Sequence, residues 1–290
     1  MKIALSTESS SDLPKELVEK FNIHVIAFTV VKGEETVKDG EETLENLYSF
    51  VQEKKMLPRT TAINIEEFKE HFSSLLKEYD AIIHVSMSHA CSSAYDNAVA
   101  AAKEFEGKVF VVDSLVFHTG QALLALYGAS LIKDGLKPEE IADALKERAG
   151  HISTTATLET VNYLYKGGRC NAIAMIGANI LGLRPMVELR EGSIKLAKKF
   201  IGPRRLWTNA YINFVLNRIE KNGADKTIAF VSSTTDMPEA TEVAVRKLKE
   251  AGFANVFVAK AGATIGTHTG PGTFSIEYIA DGPRSWSIFE

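Results

Sequence analysis

Ser86, Ser88, His89, Cys91, Ser92 and Ser93 crowd into the segment VSMSHACSSAY, residues 85–95, directly after an apolar run. Hydroxyls and an imidazole at that density can cap a helix, cradle an anion or, with a base in reach, supply a nucleophile. Two other apolar runs end in the same style, KIALSTESSSD and KVFVVDS, adding Thr7, Ser9 and Ser114. The carboxyl ends of the strands in an open parallel sheet face one crevice, so Thr7, Ser9, Ser86, Ser92, Ser93 and Ser114 are expected to converge there. Capping explains any one of them; several at one edge argue for a site. PRTTAINIEEF adds Thr60 and Thr61 ahead of a helix that Asn64 is better placed to cap, with Glu66 and Glu67 in its first turn.

GTHTGPGTF sets His268 just before Gly270, Pro271 and Gly272, a run that imposes a defined turn and holds the imidazole on a shaped backbone. YKGGRC offers Arg169 on a glycine turn, a donor for a carboxylate or phosphate. The chain has neither the Gly, Lys and Ser/Thr pattern of a phosphate loop nor a G-x-S-x-G elbow, and no G-x-G-x-x-G follows a strand in the first half. The seven histidines lack zinc spacing, and Cys91 and Cys170 lack metal or redox spacing. No metal is therefore expected, and the common hydrolase and dinucleotide-cofactor readings lose their best support.

The elements that must position these groups follow from composition and period. The 290 residues are 45% apolar and 24% charged, enough for a sizeable core, and suggest two domains. A formal charge of −4, from 33 basic and 37 acidic residues, gives no footprint for nucleic acid or an anionic membrane. A polar N-terminal stretch, no apolar segment near the roughly 20 residues of a spanning helix and two unpatterned cysteines point to a cytoplasmic protein without stable membrane insertion.

Short apolar runs alternate with amphipathic segments through the first half, the pattern of a parallel sheet flanked by helices. The character changes near 150–155. PMVELREGSIKLAKK alternates around Glu191-Gly192 as an antiparallel hairpin, and a long helix is expected from about Pro203 to Lys221. The expected organisation is α/β with two domains: a parallel-sheet domain over 1–153 and a smaller α+β domain over 154–290. ANILGLRPM and the helix near Trp207 are read as core rather than contact surface.

Six segments in order resemble the DegV family of bacterial fatty-acid-binding proteins, acyl carriers that work with a fatty acid kinase. They are STESSSDLP, PRTTAINIEEF, CSSAYDNA, VVDS with Gly120, YKGGRCN followed by LRPMVELREGSI, and THTGPGTF. The resemblance spans the chain. It implies one bound long-chain fatty acid, its carboxylate at the domain interface and its tail in a closed apolar tunnel. By position it implies ligand contacts from Thr60 or Thr61, from Ser92 or Ser93, and from His268, and a kinase-docking role for Arg169. The chain departs from the family's usual pattern at Glu8, at TTAIN and at CSSAY, all at or beside the head group.

Physical chemistry is compatible with such a ligand. Burying hydrocarbon is worth about 0.8 kcal/mol per methylene, so a long tail supplies on the order of 10 kcal/mol before ordering costs. Its carboxylate must then be richly hydrogen-bonded, which two or three hydroxyls and His268, protonated or donating, can provide. A competing reading is a hydrolase or acyl transferase using Ser92 or Ser93 with His268 and an acid such as Asp113. A third is a protein-binding scaffold without lipid. The first reading accounts for the serine-rich segment as a carboxylate cradle that also caps its helix.

Overall fold

The computed structural model describes residues 1–169 and 183–289; Cys170 and the first part of ANILGLRPM lie outside them. The first half runs β1 (Ile3–Glu8), α1 (Lys15–Lys20), β2 (Ile23–Ile26), β3 (Thr29–Lys32), β4 (Glu35–Lys38), α2 (Leu44–Lys54) and β5 (Arg59–Thr61). It continues through α3 (Ile65–Leu75), β6 (Ala81–Ser86), α4 (Ala94–Ala102), β7 (Val109–Asp113), α5 (Thr119–Lys133) and α6 (Pro138–Ala149). Then come β8 (Ile152–Thr157), α7 (Asn162–Lys166), β9 (Leu183–Arg190), β10 (Ser193–Ile201) and α8 (Arg204–Asn222). The chain closes with β11 (Asp225–Ser233), α9 (Pro238–Glu250), β12 (Asn255–Lys260), α10 (Ala263–Thr269) and β13 (Phe274–Ile279).

The parallel sheet expected in the first half is present, in the order β2-β1-β6-β7. Its central strand AIIHVS is buried along its whole length, as a strand covered on both faces must be. The second half forms a six-stranded mixed sheet, β10-β9-β8-β13-β11-β12, in which β11 and β12 are parallel across α9. The hairpin at Glu191-Gly192 forms, with both residues at positive φ, 49° and 78°. The boundary expected at 153/154 falls inside β8, which belongs entirely to this larger sheet.

Between the sheets lies α5, TGQALLALYGASLIK, buried at every residue from Thr119 to Leu131. A helix apolar on all sides must be enclosed, and α5 touches β1 and β6 on one side and β8, β11 and β13 on the other.

Two elements have weak sequence signals. A three-stranded antiparallel sheet, β4-β3-β5, is built from strands of only three or four residues, too short to display a period. The seven-residue α10, ATIGTHT, is rich in Thr and Gly and poor in helix propensity. It forms because two carboxylates from the first half satisfy its first amides: Gly262 N–H donates to Asp12 Oδ1 at 2.8 Å and Ala263 N–H to Asp39 Oδ1 at 2.9 Å.

Candidate functional site

His268 occupies the last turn of α10, and the helix stops where Gly270 takes φ 76°. A Cβ on Gly270 would stand 2.5 Å from the Tyr163 ring, so only glycine lets the turn close over α7. The imidazole Nε2 lies 2.7 Å from Thr60 Oγ1. Its Nδ1 is buried without a hydrogen-bond partner, tucked against Gly167. Burial, with the Arg169 guanidinium beside it, pushes His268 down to about 4, so the ring is neutral at neutral pH. Of the two forms expected, protonated or donating, the free site holds His268 as the neutral ring.

Thr60 reaches the imidazole because β5 pairs with β3 and successive side chains alternate. Thr60 and Ala62 turn toward a cavity, whereas Thr61 is exposed and does not line it. Ser92, Ser93 and Arg169 line the same cavity, together with Phe28, Met87, Phe117, Leu164, Ile194 and Ile265. Of the residues expected from the sequence, Thr60, Ser92, Ser93, His268 and Arg169 thus meet at one mouth. Ser93 stands at the N-cap of α4 with no side-chain capping bond, and Ser92 Oγ accepts from Ala94 N–H at 3.2 Å. The amino end of α4 accordingly faces an opening where negative charge is favoured. Arg169 is exposed at the rim, its Nη1 donating to Gly167 O at 2.7 Å.

The wider convergence expected of the strand ends does not occur. Thr7 Oγ1 donates to Val85 O, Ser9 Oγ to Asp39 Oδ2, Ser114 Oγ to Val116 O, and Ser86 Oγ to Glu8 Oε1 at 2.5 Å. Glu8, fully buried, draws Ser86 inward and also accepts from Met87 N–H at 2.9 Å and from Gln121 Nε2 at 2.5 Å. A buried carboxylate must be saturated with donors, so Ser86 serves it instead of a ligand, while Thr7, Ser9 and Ser114 are taken up by other acceptors of the chain. Ser88 is spent too, donating to Gly192 O at 2.7 Å and so fastening the β9–β10 hairpin tip to the first half.

Among the described residues no serine triad assembles: Asp113 Oδ2 holds His89 Nδ1 at 2.5 Å, and His268 has Thr60 on one nitrogen and no hydrogen-bond partner on the other. Among the same residues no cluster of His, Cys, Asp and Glu is arranged to hold a metal, and no helix is long and apolar enough to cross a membrane.

Behind the mouth lies a second cavity, which shares Phe117, Leu164, Ile194, Ile265 and Thr269 with the first. Its floor is the inner face of the larger sheet, including Ala156, Val187 and Leu189. The apolar wall could not be read in advance, because Phe117, Leu164, Ile194 and Ile265 come from four separate segments with ordinary core patterns. The only local hint is the alternation in TFSIEYIA, which puts Ser275 and Glu277 on one face of a buried strand.

The comparisons with known proteins agree with this layout. The chain is 27% identical over 290 residues to the "Fatty acid-binding protein" of Thermotoga maritima, covering 96% of this chain and 99% of that one. Among solved structures it superposes on a DegV family protein from Thermus thermophilus described in terms of fatty acid binding, with a TM-score of 0.89 and 25% identity over 97% of this chain and 100% of that one. DegV of Bacillus subtilis, described as a fatty acid binding protein, gives a TM-score of 0.82 and 27% identity, covering 97% of this chain and 100% of that one. A family model described as "Uncharacterised protein, DegV family" matches residues 2–281, and the chain belongs to the DegV family.

Proposed function

We propose that this protein binds a single long-chain fatty acid, with its carboxylate among Thr60, Ser92, Ser93 and His268 and its chain running into the apolar cavity behind them. The observation that carries this reading is the pairing of a hydroxyl and imidazole cluster with adjoining cavities walled by Phe28, Phe117, Leu164, Ile194 and Ile265. Pockets of this kind, mostly apolar with a few placed polar groups, suit a ligand with one polar end. The naming of relatives from Thermotoga maritima, Thermus thermophilus and Bacillus subtilis as fatty acid binders supports it.

The protein acts as a carrier rather than an enzyme. It presents the carboxylate at the open mouth to a fatty acid kinase, which supplies ATP and metal, and retains the acyl phosphate formed. Arg169, exposed on the rim, contributes to kinase docking. Thr61, facing solvent, takes no part in holding the ligand.

Displacement of a fluorescent fatty acid tests both roles. Ser92→Ala or His268→Ala should weaken retention by roughly 10- to 100-fold, the range for losing a hydrogen bond to a charged group. Arg169→Ala should retain the ligand and lose phosphorylation by the kinase. A cavity emptied by Arg169→Ala alone would overturn the division of roles. A covalent adduct on Ser92 or Ser93 after treatment with an activated ester would favour the acyl transferase reading instead.

A further inference from the structure

The inner cavity is less uniformly apolar than a hydrocarbon tail requires. Glu277, Ser275 and Ser232 all line it, and they are 0%, 3% and 2% exposed. They are neighbours across the larger sheet. Ser275 and Glu277 are two residues apart on β13 and share a face, and Ser232 of β11 pairs directly with Ser275. Glu277 Oε2 accepts from Thr119 Oγ1 at 2.7 Å, but Glu277 Oε1, Ser275 Oγ and Ser232 Oγ have no hydrogen-bond partner. Ser275 Oγ lies close enough to the Glu277 carboxyl to favour its ionised form, yet outside hydrogen-bonding geometry.

Buried polar atoms are nearly always paired, so these three orphans, together with the equally unpaired Thr154 Oγ1 that lines the same cavity across from Glu277, mark a place where a partner belongs. The structural roles elsewhere in the chain do not need them: Glu8 is saturated, and His118 at the edge of the same cavity is held by Asp12 Oδ2 at 2.5 Å. Burial holds the Glu277 carboxyl above the usual carboxylate range, and its unpaired Oε1 is an acceptor. The two serine hydroxyls both donate and accept. The wall is matched to a neutral group that donates and accepts, and an alcohol is the simplest.

We propose that Glu277, Ser275 and Ser232 form a second polar subsite deep in the cavity that selects acyl chains bearing a hydroxyl on the distal part of the tail. This rests on the fatty acid reading above. A plain tail leaves all three atoms unpaired, whereas one hydroxyl at the right carbon pairs with the carboxyl and a serine together.

The test is competition binding with acids of one chain length: the unsubstituted acid and a series of monohydroxylated acids differing in hydroxyl position along the distal half. At least one position should bind tenfold or more tightly than the unsubstituted acid, although a hydroxyl is more costly to take from water. In Ser275→Ala and Ser232→Ala that advantage should shrink, while the unsubstituted acid binds as well as to the unaltered protein or better; that retained binding also shows that both variants fold. If the unsubstituted acid binds one-to-one and no hydroxylated acid binds more tightly, the subsite is overturned and the fatty acid reading survives. If no acid binds, both fall.

Discussion

In the proposed complex His268 gives the head group a titratable partner whose charge depends on the ligand. In the free protein burial and Arg169 hold it down to about 4. A carboxylate placed beside it favours the charged form and raises that value, typically by 1 to 3 units. Binding therefore takes up a proton wherever the pH lies below the raised value and above about 4. Affinity for a long-chain fatty acid should rise roughly tenfold as the pH falls from 7 to 5, where a carboxyl like that of Glu is still ionised. Titration calorimetry in buffers of different ionisation enthalpy measures that proton uptake, and His268→Asn should abolish it. The type of this residue and the turn after it were legible in GTHTGPGTF. The choice of Thr60 over Thr61 was not, because it depends on which face of β5 meets the cavity, a matter of pairing with β3.

Among the elements around the site, the two glycines of YKGGRC differ: Gly168 sits at φ 71° with open space around it, whereas Gly167 owes its place to packing. Gly167 has an ordinary helical φ of −72°, so alanine is permitted by the backbone. Its Cβ, however, would stand 2.8 Å from His268 Nδ1 and 2.9 Å from Tyr163 O. Gly167→Ala should leave the circular dichroism spectrum unchanged and weaken fatty acid binding by about tenfold through displacement of the imidazole. Unchanged affinity would mean that the ring tolerates the shift. The helices and parallel strands of the first half were readable because each runs long enough to show its period. The site-bearing elements β5 and α10 were not: one is three residues long, and the other is helical only because Asp12 and Asp39 arrive from far along the chain to satisfy its amides.

A buried ion-pair cluster fastens the two halves of the chain together. Arg148 at the end of α6 is 2% exposed and donates to Asp225 of β11 and, at 3.2 Å, to Asp281 after β13. Its guanidinium lies 4.1 Å from the centre of the Tyr127 ring, and Trp286 Nε1 donates to the same Asp225 at 2.7 Å. Removing one partner of a buried ion pair costs about 3–5 kcal/mol. Arg148→Ala should therefore lower the thermal midpoint by roughly 10 °C while leaving the affinity of the folded protein for fatty acid unaltered. A change in affinity without loss of stability would place Arg148 in the site instead. The return of the C-terminal segment to α5, with Ser287 against Ser130, joins residues too distant for any periodicity to announce.

The central claim concerns what fills the two cavities, and native mass spectrometry of the freshly purified protein, followed by solvent extraction and lipid analysis, tests it most directly. The account predicts a stoichiometric mass excess that extracts as one or a few long-chain fatty acids. A protein of bare polypeptide mass that also fails to take up added fatty acid would contradict it.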